Sequence, residues 1–353
     1  MWPSGWCVST HHVSLRLPTV PYLSRGVSHA WKGVFVLAVA GGGLWTATHR
    51  VAGVAWTDVA DLLRQVSPHQ VVVLTVIWLG GLGIYSLVLS AALPGLGVRR
   101  SLLLNLSGSA VANVVPLGGA VGTALNWRMV TRWGHSNAAF VAYCLLTNVL
   151  DVGSKLVLPL VAVAGLLLVS AHVPTTMWLV AGGCAAVLLL ACALQVLVRR
   201  SDGGALARGR VMTLVATQVR GSGSRISEVF VHGWVRLVSA SAGYLAAQVA
   251  LLDMSLRTVG MHPPLTVVVM ATAVERLGTL IPITPGGTGV AEVGAIAWLV
   301  ATGQPPVQAV AGVLLCRIFL VVLEIPLGGV LLAGWVWSRR WGAGRPRPGA
   351  AAA

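Results

Sequence analysis

Charge is scarce in this chain. Only 9% of its 353 residues are charged, and Asp and Glu together number nine. Soluble domains carry about 25% charged residues. With 56% hydrophobic residues, this chain cannot cover a water-facing surface, which excludes an ordinary soluble enzyme. Metal and disulfide patterns are lacking too. Cys144, Cys184, Cys192 and Cys316 sit inside apolar runs, Cys7 precedes them, and no CxxC occurs, so neither a zinc site nor a disulfide framework is indicated. No phosphate-binding P-loop, HExxH or G-x-S-x-G is present. The stretch "GGTGVAEVG" at 286–294 lacks the third glycine of a dinucleotide fingerprint and follows no soluble strand. No cofactor and no metal are expected. The apolar runs are continuous rather than alternating, which speaks against a β-barrel.

What is present is a series of long apolar runs. A helical span needs about 20 apolar residues. Trp31–Thr48, His69–Leu93, Ala138–Ser170, Thr175–Val198, Trp234–Leu256 and Val307–Trp337 qualify. The fold class expected is therefore all-α: a polytopic membrane protein with about six full spans. Between the first two runs, "WTDVADLLRQVSP" reads as a short amphipathic segment with Asp58, Asp61 and Arg64 on its wet face. The net charge of +15 does not point to nucleic acid. The arginines lie in "RR" at 99–100, "RRSDGGALARGR" at 199–210 and "SRRWGAGRPRP" at 338–348, flanking apolar runs in the positive-inside pattern. That pattern predicts a cell-membrane protein with both termini cytoplasmic. Residues 1–30 form a basic tail, 31–337 a single membrane domain with a basic loop at 199–230, and 338–353 a second basic tail. The run from Val34 to Ala47 has no convincing cleavage site after it, so a retained helix is expected rather than a removed signal peptide.

Two further apolar regions are broken, Ser101–Trp133 by "PLGGAVG" and Leu265–Thr302 by "PITPGGTG". With the basic loops inside, the first region starts and ends inside and the second starts and ends outside. Each reads as a hairpin, either re-entrant or two short spans, and the two enter from opposite faces. A shift of 169 places Pro116 on Pro285, Gly118 on Gly287, Gly134 on Gly303 and Lys155 on Glu324. The order of span, broken hairpin and long span also matches, giving units of about 69–170 and 238–337. Three spans separate equivalent points, so the repeat is inverted, an arrangement found in transporters. The alternative for "PLGGAVG" is an ordinary turn between ordinary helices.

Asp151, Lys155, Glu275, Arg276, Glu292, Arg317 and Glu324 all fall in apolar runs or hairpins. An ionisable group at the bilayer centre costs about 2.5–3.5 kcal/mol on the insertion scale, so it faces protein or a wet cavity. Asp151 and Lys155, four apart, can pair, and there a purely structural pair competes equally with a functional one. Arg317 and Glu324, seven apart, are expected to share a face of the last helix. Glu275, Glu292 and Arg317 surround the break, and only one of the two carboxylates is expected to be the main partner of Arg317. A half-helix starting after Gly287–Gly289 aims its N-terminal amides at the break, where a phosphate or carboxylate is favoured. The break thus predicts a polar, anion-tolerant pocket shaped by Pro285, Gly286, Gly287 and Gly289. Pro116, Gly118 and Gly119 stand at the corresponding place in the first hairpin.

"TPGGTGVAEVGAIAWLVATGQPPVQAVAGVLLCRIFLVVLEIPLGG" resembles the signature of the lysylphosphatidylglycerol synthase transmembrane-region family, also described as flippase-like membrane proteins. The matching positions are Pro282, Pro285, Gly286, Gly287, Gly289, Glu292, Gly303, Arg317 and Pro326. "NVVPLGGAVGTALNWRMVTRWG" is similar to the family's earlier motif through Pro116, Gly118, Gly119 and Gly122. Where many members carry an Arg and a Gly–Glu pair, this chain has Gly118 and Ala120–Val121. The resemblance spans about 30–337. It implies a lipid-handling protein of the cell envelope, in which the membrane region moves a lipid between leaflets. In full-length synthases a soluble C-terminal domain makes that lipid. Here only a short basic tail follows Trp337, so no synthase activity is expected.

The function expected is translocation of a lipid or lipid-linked headgroup, without covalent chemistry. The partners are membrane lipids, an anionic phospholipid or a lipid-linked headgroup. One alternative is a membrane-embedded enzyme acting on a lipid-linked sugar or phosphate, with Glu275 or Glu292 as base. The other is a non-transporting membrane partner of an envelope synthesis complex.

Overall fold

The computed structural model describes residues 53–115, 118–169, 175–200, 210–280 and 289–342. The first expected span, the tail 1–30, the residues 343–353 of the second tail, the residues 201–209 and the positions Pro116, Pro282, Pro285, Gly286 and Gly287 lie outside the described residues, while 338–342 continue the last helix. The described residues are helical, with no strand among them. Helix α1 (Trp56–Arg64) is the expected amphipathic segment: Arg64 Nη1 pairs with Asp61 Oδ1 at 2.9 Å on the exposed side, while Val59 is buried. Helix α2 (Pro68–Ala92) starts sharply. The Ser67 hydroxyl accepts from the Gln70 N–H, the Gln70 carbonyl oxygen accepts from the Ser67 N–H at 2.8 Å, and Pro68 follows as the first helical residue.

The first broken region folds as a hairpin of α3 (Val98–Val114) and α4 (Gly118–Arg132). Two long helices follow, α5 (Asn137–Val169) and α6 (Thr175–Arg200). Helix α7 (Arg210–Thr258) corrects an expectation. Residues 199–230 do not form one loop, because Arg199 and Arg200 close α6 and the chain is helical from Arg210 onward. No proline interrupts 211–258, and its isolated glycines cost a helix only about 1 kcal/mol each. The second broken region forms a hairpin of α8 (Leu265–Gly278) and α9 (Val290–Ala301). The last run is a rod of α10 (Pro306–Arg317), a π-helical segment (Ile318–Val322) and α11 (Glu324–Gly342). Among the described residues, four helices are long and apolar enough to cross a membrane: Pro68–Ala92, Asn137–Leu168, Gly233–Thr258 and Pro306–Ser338.

The burial pattern is that of a protein in lipid. Leu168, Leu179 and Val330 are 88%, 71% and 70% exposed, while Glu275, Arg276 and Glu292 are buried. Without a hydrophobic drive between helices, close packing of small residues must hold them together. Both hairpins do this. A side chain at Gly118 would strike the Ala112 backbone, and one at Gly122 would come within 2.8 Å of the Gly108 carbonyl. In the second hairpin, a side chain at Gly278 would lie 2.7 Å from the Ala291 Cα. Helices α2 and α7 cross in opposite directions: Gly81 meets Ala247, Ile84 meets Gly243, and the Tyr85 and Tyr244 rings lie 4.5 Å apart. Helix α5 packs on α8, and α11 packs on α3.

That last contact is tight. A Cβ at Gly328 would run into the Leu106 carbonyl and lie 2.7 Å from the Ala110 Cβ, whereas the next position, Gly329, faces open space. Overpacking a tight contact costs about 1–3 kcal/mol. Gly328→Leu is therefore expected to lower the melting temperature in detergent, and Gly329→Leu to leave it unchanged. Equal effects at the two positions would mean that α11 does not sit on α3 this way.

Candidate functional site

The charged residues converge where α8, α9 and α10 meet. Helix α8 ends on Glu275 and Arg276, consecutive and both buried. Consecutive helical residues point about 100° apart, from 3.6 residues per turn, so the two enter different neighbourhoods. Glu275 reaches Arg317, the last residue of α10, with Oε1 3.1 Å from Arg317 Nε. Glu292, in the first turn of α9, approaches the same nitrogen with Oε1 at 2.9 Å. Both carboxylates therefore partner Arg317, and the expectation of one main partner is corrected. The cause is hairpin geometry: the close Gly278–Ala291 approach puts the end of α8 and the start of α9 within reach of one guanidinium.

Glu292 has a second task. Its Oε2 accepts the Gly289 N–H at 2.6 Å. Gly289 has φ +96, a conformation that only glycine adopts without strain, and this turn brings the amide round to the carboxylate. A carboxylate at a helix N-terminus is stabilised by the helix dipole. The sequence predicted an anion there, and the anion is the chain's own. Glu292 thereby caps the start of α9.

Arg317 has capacity left. Its Nε is close enough to both carboxylates for ion pairing, but the N–H is not aligned on either oxygen for a hydrogen bond. Its Nη2 is buried and has no hydrogen-bond partner among the described residues. Buried donors are rarely left open, and a guanidinium presents a fork suited to a carboxylate or phosphate.

The second neighbourhood belongs to Arg276. Its Nη2 lies 3.2 Å from Asp151 Oδ1 and donates to the Ser154 hydroxyl at 3.2 Å. Its Nη1 donates to the Gln248 side chain, and its Cζ lies 6.0 Å from the centre of the Tyr244 ring. Asp151 also takes Lys155 Nζ at 2.7 Å, the expected i,i+4 pair. Two triads result. Arg317 with Glu275 and Glu292 carries a formal −1, Lys155 and Arg276 with Asp151 carry +1, and the six charges sum to zero.

Arg317 and Glu324 do not share a face. Arg317 turns to Glu275 and Glu292, while Glu324 accepts from the Ser109 hydroxyl of α3 at 2.5 Å. The π segment between them explains this. Its wider turn, seen in the Leu323 N–H donating to the Ile318 carbonyl at 2.9 Å, breaks the phase that places residues seven apart in line. In the first hairpin, Gly118 is a packing position and Gly119 faces open space, its carbonyl accepting from the Thr123 hydroxyl at 2.8 Å. Sequence reasoning did not select Arg276, Gln248, Tyr244 or Ser109 as site residues. Arg276 was visible as an ionisable residue in an apolar run, whereas the uncharged three carry no signal until the helices are placed.

Removing one member of a buried pair costs about 3–5 kcal/mol, because it leaves the other uncompensated. Arg317→Gln is expected to lower stability sharply. Adding either Glu275→Gln or Glu292→Gln should recover part of the loss, since each carboxylate is within ion-pair distance. Glu292→Gln alone should cost more than Glu275→Gln, because it also weakens the α9 cap. Double-mutant cycles on melting temperature measure this. Strict additivity at both positions would remove Arg317 from the cluster.

The comparisons with known proteins bear on the whole membrane region. No curated protein matches the chain. The family model described as lysylphosphatidylglycerol synthase TM region matches residues 33–328, which takes in both hairpins and all six charges of the two triads. This chain belongs to the lysylphosphatidylglycerol synthase TM region family.

Proposed function

We propose that this protein moves a lipid or lipid-linked headgroup across the cell membrane, without chemical change. The observation that carries the reading is Arg317: a guanidinium inside the membrane region, held by two carboxylates, with a buried Nη2 donor that has no partner among the described residues. A phosphate of the cargo supplies the missing acceptor. The rival reading as an enzyme needs a free carboxylate base. Glu275 and Glu292 are both within ion-pair distance of Arg317, and Glu292 caps α9 as well.

Helix contacts in keeping with the proposed inverted repeat support the transport reading. Under the shift of 169, α2 corresponds to the second half of α7, and these two helices run antiparallel against each other. Helix α5 corresponds to the α10–α11 rod, and α3 to α8. The contact of α5 with α8 is therefore mirrored by that of α11 with α3. The close contact of Gly108 with Gly122 falls within one residue of that of Gly278 with Ala291. These pairings are what an in-plane pseudo-two-fold axis requires.

A crevice of about 1060 Å³ lies between the turn after α2, the α4–α5 turn and α7. Leu93, Leu96 and Leu146 give it an apolar wall, and Ser136, His135 and Arg236 are polar. It suits an amphiphile, and it shares no residue with the two triads. Arg100, stacked 5.3 Å from the Trp133 ring, belongs to the same basic end, which the positive-inside rule assigns to the cytoplasm.

The decisive test uses the full-length protein in phosphatidylethanolamine–phosphatidylglycerol vesicles carrying a fluorescent phosphatidylglycerol, with dithionite reporting leaflet exchange. Wild type should accelerate exchange, and Arg317→Gln should lose roughly tenfold or more, as removal of a buried charge contact does. Arg317→Lys should fall between, lacking the fork. Exchange no faster than in empty vesicles sinks the translocase reading for this lipid class and favours a non-transporting envelope partner. A change in lipid mass favours the enzyme. Orientation is tested separately. Cysteines at Ser201 and Gly349 should resist labelling by an impermeant maleimide in intact cells, and ready labelling of either reverses the topology.

A further inference from the structure

Glu324 stands apart from the other carboxylates of the described membrane helices. Among the carboxylates whose side chains are described, Asp151, Asp253, Glu275 and Glu292 each have a Lys or Arg partner, and Glu324 has none among the described residues. It is buried where α11 begins, just past the π segment. The groups facing it can be named element by element. Helix α3 offers the Ser109 hydroxyl, which donates at 2.5 Å and in turn accepts from the Asn113 amide at 3.5 Å. The basic residues of α3, Arg99 and Arg100, lie in its first turn, at the opposite end. Helix α2 offers Trp78, while its His69 and Tyr85 lie about two turns or more away along the helix. Helix α7 offers Tyr244 and Gln248; its Asp253 and Arg257 pair with each other at 2.8 Å, and its Arg236 lies two turns before Tyr244. Arg276 of α8 arrives only through Gln248. On its own rod, Arg317 is turned away.

We propose that Glu324 is a proton-binding site, and that its loading and unloading couple lipid translocation to a proton gradient. A lone carboxylate in an apolar interior is costly, and with no Lys or Arg partner among the described residues a proton is the ligand that neutralises it. The space beside it is small. The cavity lined by Trp78, Tyr244, Gln248 and Glu324 has a volume of about 10 Å³, room for about one water and too small for a headgroup. The exchange is simple. A hydronium gives its proton to the Glu324 carboxylate, the carboxyl goes from −1 to neutral, and the proton later returns to water on the other face. Loading reverses the Ser109 contact, because a carboxylic O–H donates where the carboxylate accepted. That contact joins the last helix to the first hairpin, beside the tight Gly328–Leu106 approach, so proton occupancy acts on the packing of the two proposed repeats. The coupling rests on the translocase reading; the protonation does not.

The test separates the two. Infrared difference spectra of the full-length protein in phosphatidylethanolamine–phosphatidylglycerol vesicles, taken between acid and alkaline pH, show the carbonyl stretch of a protonated carboxylic acid. A band that titrates in wild type, persists in Glu292→Gln and is absent from Glu324→Gln is the expected result. If Glu324→Gln fails to insert, Ser109→Ala, which keeps the carboxyl but removes its donor, must shift the pH at which the band titrates. No band that either substitution alters overturns the proposal. The second arm applies a pH gradient and follows fluorescent phosphatidylglycerol. Wild type should respond by up to about tenfold per pH unit, the limit set by the proton's free energy, and Glu324→Gln should not respond. Lipid movement indifferent to the gradient overturns the coupling. A titrating band with no lipid movement under any gradient fails the translocase reading and leaves the proton site standing.

Discussion

A charge taken out of water must be neutralised by what stands beside it, and this requirement fixes the geometry of the second hairpin. Arg317 ends α10, Glu275 is in the last turn of α8, and Glu292 is in the first turn of α9. None can stay ionised in an apolar interior alone. The three helix ends must therefore meet at one place, and the hairpin must turn tightly enough to let them. The small-residue contact of Gly278 with Ala291 and the left-handed Gly289 are the backbone terms of the same requirement. The functional consequence follows from the count. Two carboxylates hold one guanidinium without saturating it among the described residues, and the proposed function rests on the donor left over.

The π segment divides the last rod by function. Had residues 318–322 continued as α-helix, Arg317 and Glu324 would lie on one face about two turns apart. The wider turn sends Arg317 to the second hairpin and Glu324 to α3 of the first. One helix thereby contacts both hairpins through groups of opposite charge. Extra residues of this kind are found at functional positions because they trade helix regularity for side-chain aim.

Much of this was legible in the sequence, and the limits have physical causes. The hairpins announced themselves through Pro and Gly in apolar runs, and α3–α4 and α8–α9 lie where they were expected. The i,i+4 pair of Asp151 with Lys155 was readable because helical neighbours are fixed by spacing alone. Contacts between helices were not. Ser109, Gln248 and Tyr244 are unremarkable in a membrane helix, and only tertiary placement turns them toward Glu324 and Arg276. The i,i+7 reading of Arg317 with Glu324 failed because a π insertion has no composition signature in "RIFLVVLE". The basic stretch 199–230 looked like a loop because arginine and glycine were weighed above the absence of proline, and α7 begins at Arg210 regardless.

The two proposed repeats are alike in backbone and unlike in charge, and that difference bears on mechanism. Under the shift of 169, Glu292 corresponds to Thr123 and Arg317 to Asn148, while Glu324 corresponds to Lys155. The first hairpin keeps the small-residue packing of Gly108, Gly118 and Gly122 but places no ionised group at its break. If both breaks bound the cargo headgroup, each would need a guanidinium beside it, and on this reading only the second has one, Arg317 of α10 held by Glu275 and Glu292. The anion contact is then one-sided, at the hairpin that the positive-inside rule places toward the outer face. The first hairpin answers with Ser109, which touches no cargo-binding group and holds the last helix through Glu324 instead. One repeat then binds and the other controls, a division of labour that the matched helices alone would not reveal.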